Sequence, residues 1–144
     1  MKPLTFLTVI PVVIAASLTS AAVAQTDTSA AQAQSNAGAE EYARACASCH
    51  GMSGQGDGPV AQYMTIEVPD LTQIAARNNG VFNLLNVIHI IDGRTGMRGH
   101  GSPMPIWGDR YEASAASQIG DYGREVEVRG RVLSLATYLE SLQQ

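Results

Sequence analysis

Residues 46–51 read CASCHG: two cysteines three positions apart, with a histidine directly behind the second. These are the only two cysteines among 144 residues, so whatever Cys46 and Cys49 do, they do as a pair. One reading of C-x-x-C is a redox disulfide of the thioredoxin kind, which needs a strand before it and a βαβ pattern around it. No stretch of this chain alternates convincingly with period two, so that setting is missing. A second reading is a zinc site completed by two histidines. His89 and His100 stand at no finger-like spacing from the cysteines.

The third reading uses all three residues at once. In C-x-x-C-H the two thiols add across the two vinyl groups of a haem, and the adjacent imidazole reaches the iron from below. One helical turn sets the sulfurs at vinyl separation and puts His50 under the ring centre. One covalent haem c, with its iron, is the cofactor this motif implies.

Haem c is attached outside the cytoplasm, and the start of the chain agrees with export. Residues 1–24 carry Lys2, an apolar run from Leu4 to Leu18 and a closing Ala22-Val23-Ala24, the pattern of a secretory signal peptide. The run is short of the roughly 20 apolar residues that span a bilayer, although an uncleaved anchor is the alternative. Gln25 rather than a cysteine follows, unlike a lipoprotein signal. Cleavage there predicts a periplasmic protein. It removes the sole lysine and leaves 8 arginines against 13 acidic residues, a net charge of 8 − 13 = −5. An acidic, lysine-free surface argues against nucleic acid and against anionic lipid, so membrane contact is expected only through a membrane-bound partner. Residues 25–36 are small and polar with no periodic apolar face, and they read as a flexible leader. Residues 37–144 then form one domain.

The elements expected in that domain are helical. Asn36 is placed to cap a helix toward Cys46, Asp70 to cap a short helix ended by Asn79-Gly80, and Val81, Leu84, Leu85, Ile88 and Ile91 to form one helical face ended by Gly93. Val128, Val132, Leu135, Leu139 and Leu142 mark a closing helix. The fold class is all-α, with long connections at 51–68 and 93–121. Connections beyond about 12–15 residues are uncommon unless something organises them, and a large apolar cofactor at the centre would do so.

With these residues in place, residues 37–144 resemble a class I c-type cytochrome of the bacterial periplasmic kind. Gly38 and Tyr42 stand eight and four residues before Cys46, where that family crosses its first helix closely over its last, and Leu135, Tyr138 and Leu139 resemble the matching part of the last helix. GMSGQGDGPV (51–60) resembles the glycine-rich loop that follows the motif in many bacterial members. VPDL (68–71) resembles the loop beneath the proximal histidine. By that likeness the Pro69 carbonyl accepts the other ring N–H of His50, Leu71 packs on the haem face and Arg77 neutralises a propionate. HGSPMPIWG (100–108) resembles the distal loop. It implies Met104, stiffened by Pro105, as sixth ligand, and an indole N–H of Trp107 directed to a buried propionate. His100 is the rival sixth ligand, Met97 reads as a lid over the haem edge, and His89 as packed in or beside the core.

The resemblance implies a one-electron carrier that serves redox protein partners, a donor and an acceptor, with no small-molecule substrate and no catalytic residues. Two other classes stay open. One is the electron-transfer subunit of a periplasmic dehydrogenase or respiratory complex, whose catalytic site lies in another chain. The other is an open-site haem sensor or peroxidase-like protein using His100. Arg94 and Arg98 read as a solvated loop surface or a docking patch for an acidic partner. Residues 109–123 exceed what the smallest members need, with a short additional helix or a partner contact as the options.

Overall fold

The computed structural model of the chain describes residues 21–93, 104–115 and 117–144. Among these every regular element is helical: α1 (Ala21–Ala45), α2 (Ala47–His50), α3 (Leu84–Asp92), α4 (Trp107–Ser114) and α5 (Gly120–Ser141), with four short 3₁₀ turns between them. None of these helices is long and apolar enough to cross a membrane. The all-α expectation is met.

The crossing of α1 over α5 organises the rest, and sequence explains its closeness. A Cβ on Gly38 would sit 2.0 Å from the Ser134 carbonyl oxygen and 2.8 Å from Cβ of Tyr138, so only glycine fits where the two backbones touch. One turn on, Tyr42 is fully buried, its ring centroid 5.3 Å from that of Tyr138 and its hydroxyl donating to the Gly51 carbonyl at 2.7 Å. Burial first, then the neighbouring Cys46, pushes the Tyr42 phenol well above its ordinary range. Of the expected stripe, Val128, Val132, Leu135 and Leu139 are buried as their spacing predicts, joined by Ala136, whereas Leu142 caps the end of α5 and is only partly buried.

A polar knot closes the other end of this crossing. Arg131 on α5 holds Glu41 of α1 through two parallel N–H···O bonds of 3.2 Å and gives a third, of 3.0 Å, to Oγ of Ser114 on α4. Its guanidinium lies 4.0 Å from the Tyr111 ring centroid. One side chain thereby joins three helices.

Four expectations are corrected. Residues 25–36, read as a flexible leader, are helical and continuous with α1. Asn36, read as a cap, lies inside that helix and accepts a bond from Gln32 at 3.0 Å. Residues rich in Ala and Gln cost little to hold helical once the following turns are fixed by packing, even with no apolar face to bury. Val81 precedes α3, which is capped by Asn83 accepting from the Asn86 N–H at 3.0 Å, and Leu85 points outward at 60% exposure. The buried pair on α3 is Val87 and Ile91, because that helix faces both α5 and the cavity described below. Around Asp70 the chain makes two 3₁₀ turns in place of one helix, Leu71–Gln73 and Ala76–Asn78, with Asn79 in the left-handed conformation as the stop. The 93–121 connection contains α4, which was the helical option for residues 109–123. Trp107 and Tyr111, four apart, stack at 5.7 Å and seat this helix on the core.

Candidate haem site

Cys46, Cys49 and His50 are brought together by a single turn. The N–H of Cys46 still bonds to the Tyr42 carbonyl of α1 (2.9 Å), while the Cys46 carbonyl accepts from both Cys49 (3.1 Å) and His50 (2.9 Å). So short a helix leaves its last carbonyls exposed to desolvation without partners. The glycine-rich loop supplies them: Val60 bonds to the Ser48 carbonyl, Gly58 to Cys49 and Gly56 to His50, at 2.8–3.1 Å. A Cβ on Gly58 would lie 2.5–2.6 Å from the carbonyl oxygens of Ser48 and Ala47, which explains why this return leg passes through glycine.

Neither cysteine is in a disulfide, and among the described residues no three His, Cys, Asp or Glu side chains gather as a metal cluster. Cys46 is buried, which, helped by nearby Glu41, pushes its thiol up to about 12 and keeps it uncharged. His50 is buried, with Nδ1 3.3 Å from the Pro69 carbonyl oxygen.

Two adjoining cavities open beside this turn. Cys46, His50, Pro69 and Met104 border both. The larger, about 390 Å³, is walled by Leu71, Ile74, Val87, Ile91, Leu135 and Leu139. The smaller, about 70 Å³, is bordered by Cys49, Met64, Ile66 and Trp107. A slot with apolar walls, bordered by two thiols and an imidazole, suits a flat apolar macrocycle that bonds through sulfur and iron. Polar side chains border the larger cavity as well: Arg77, Asn78, Asn83 and Asn86.

Cys46, Cys49, His50, Pro69, Leu71, Arg77, Met104 and Trp107, proposed from the sequence for haem contact, each border one cavity or both. They are not all in one place. Arg77 lies on the larger cavity and also donates from Nη2 to the Asp70 carbonyl at 2.7 Å, whereas Trp107 lies on the smaller, with the Arg110 guanidinium 5.3 Å from its ring. His89 borders a separate groove with Asp92 and Arg129. His100, Met97, Arg94 and Arg98 lie outside the described residues. Sequence reasoning missed Asn83 and Asn86, three apart on the first turn of α3; their spacing was the available signal, hidden by the apolar periodicity around them. Met64 was missed as a wall residue because nothing local distinguishes it from any loop methionine.

Comparison with known proteins gives one result. Neither the curated proteins nor the solved structures include a match to the chain. The family model described as "Cytochrome c" matches residues 35–121, more than half of the chain, from the second half of α1 through the C-x-x-C-H turn to the start of α5. That family binds haem c covalently and uses its iron for electron transfer. The chain belongs to the cytochrome c family.

Proposed function

We propose that this protein is a periplasmic one-electron carrier, not an enzyme, in which His50 and Met104 are the axial ligands of a haem bound to Cys46 and Cys49. The observation that carries the reading is that Met104, 54 residues after His50, borders the same two cavities as His50 and Cys46. The haem supplies the chemistry, a ferric–ferrous exchange of one electron. The chain's own residues supply the conditions. A proton on His50 Nδ1, directed at the Pro69 carbonyl, leaves the Nε2 lone pair for the metal and raises the donor strength of the ring. Met104, a soft thioether held by the following proline, favours the ferrous state and raises the potential. Two protein ligands leave no position for oxygen chemistry. Leu71 would pack against a bound ring, and Arg77 on the larger cavity and Trp107 on the smaller would meet its propionates.

Residues 1–24 direct export and are removed after Ala24, and the partners are redox proteins, one donor and one acceptor. The test of the ligand pair is spectroscopic. The ferric protein shows a weak near-infrared sulfur-to-iron band that Met104→Ala abolishes. A band that survives in Met104→Ala and disappears in Met97→Ala refutes the assignment. Prompt carbon monoxide binding by the ferrous protein at neutral pH would favour the open-site reading instead.

A further inference from the structure

The segment that serves His50 is tied down by a side chain from the far end of the fold. Gln143, just past α5 and partly buried, makes three hydrogen bonds. Its Oε1 accepts from the Ala75 N–H at 2.9 Å, and its Nε2 donates to the carbonyls of Leu71 at 2.9 Å and Leu139 at 2.7 Å. The Ala75 N–H can only donate and the two carbonyls can only accept, so these partners determine which way the amide points. The neighbouring Gln144 N–H bonds to the Thr72 carbonyl at 3.1 Å. The bond to Leu139 closes the helix end, and that alone would be an ordinary cap. The bonds to Leu71 and Ala75 cross 72 and 68 positions of sequence and grip both ends of the turn that follows Pro69.

We propose that Gln143 is a positioning residue for the haem: by clamping the 71–75 turn to α5 it holds Leu71 against the cavity and keeps the Pro69 carbonyl where the His50 ring donates to it. The proposal rests on His50 being the proximal ligand. Pro69, Leu71 and Ile74 all border the larger cavity, and the same short run is gripped from its other side by Gly54, whose carbonyl accepts the Leu71 N–H at 2.7 Å. Only a side-chain amide offers one acceptor and two donors on a planar head, so neither carboxylate nor thioether can replace it. When the clamp is lost the Pro69 carbonyl moves, the hydrogen bond from Nδ1 weakens, and the imidazole donates less strongly. Ferric iron loses more from that than ferrous, so reduction becomes easier.

The experiment compares haem-loaded wild type, Gln143→Met, which keeps the length and volume of the side chain without its hydrogen bonds, and Val132→Ala, which cuts a cavity in the buried face of α5 away from the haem cavities. All three are measured for bound haem, amide exchange at Ala75, thermal midpoint and spectroelectrochemical midpoint potential. Expected in Gln143→Met are unchanged haem content, exchange at Ala75 faster by about tenfold, and a rise of about threefold in the equilibrium constant for reduction, the scale of one weakened hydrogen bond. Val132→Ala melts lower and keeps the wild-type potential. The proposal is overturned by an unaltered potential in Gln143→Met, by unaltered exchange at Ala75, or by an equal potential shift in Val132→Ala. Failure of the underlying assignment looks different: His50→Ala would then leave the ferric spectrum of the haem-loaded protein as it was.

Discussion

Gly38→Ala puts the central helix crossing to the test. The new methyl would lie 2.0 Å from the Ser134 carbonyl oxygen, 2.7 Å from its carbon and 2.8 Å from Cβ of Tyr138, none of them the end of a flexible side chain. Ordinary contact needs about 3.4 Å, so α1 and α5 must part by roughly 1 Å, a gap that forfeits a quarter to a half of the dispersion energy across the seam. Tyr42, Leu135 and Ala136, at most 1% exposed, lie along that seam. Overpacking of a core costs about 1–3 kcal/mol, and a clash with backbone belongs at the upper end. Alanine returns about 1 kcal/mol of helix propensity. The net loss is about 2 kcal/mol, or roughly 10 °C in thermal midpoint for a domain near 100 residues. Gly130→Ala is the matched control. It is also helical, and a Cβ there meets nothing within 4 Å. It should stabilise by about 0.5–1 kcal/mol, because only the propensity term operates. Thermal unfolding of the haem-loaded proteins, followed by far-ultraviolet dichroism and by haem absorbance, measures both. The reasoning is refuted if Gly38→Ala melts within a few degrees of wild type, or if the two substitutions act in the same direction.

Two further outcomes are expected. Arg131→Met leaves the Glu41 carboxylate, 15% exposed, without its guanidinium and should cost about 1–3 kcal/mol in denaturant unfolding, part of which Glu41→Gln in the same background restores. A double variant no more stable than Arg131→Met refutes the stranded-charge account. The second concerns alkaline pH. Burial raises the phenols of Tyr42 and Tyr111 above their ordinary value of 10.0, and Glu41 adds to the effect at Tyr111. The unfolded chain then loses these protons first, so the stability they contribute is complete below pH 10 and declines as pH rises beyond it. Tyr111→Phe should make that decline shallower in urea titrations above pH 10, and an unchanged slope would remove Tyr111 from the account.

What could be read early follows from how local each feature is. CASCHG is self-contained: one turn brings Cys46, Cys49 and His50 together by i, i+3, i+4 geometry, so the motif carries its chemistry whatever surrounds it. Gly38 and Tyr42 were legible because their offsets from Cys46 stay within one helix. The stripe from Val128 to Leu139 was legible because a buried helix face repeats in sequence. The extent of α1 was not. Asn36 looks like a cap and the residues before it lack an apolar face, yet the helix runs through them from a segment held by packing further on.

By itself, then, the sequence determined the all-α class, the haem-binding turn, and the two helices that must cross closely. Tertiary structure alone decided which residues from distant parts of the chain share the cavity. Asn83, Asn86 and Leu135 border it together through contacts whose sequence separation leaves no periodic trace. The same holds for Arg131 gathering Glu41 and Ser114, and for Gln143 reaching back across about 70 residues to the turn beside Pro69. Helical periodicity encodes which face of an element is buried; it does not encode what that face meets, which depends on the three-dimensional packing of every other element.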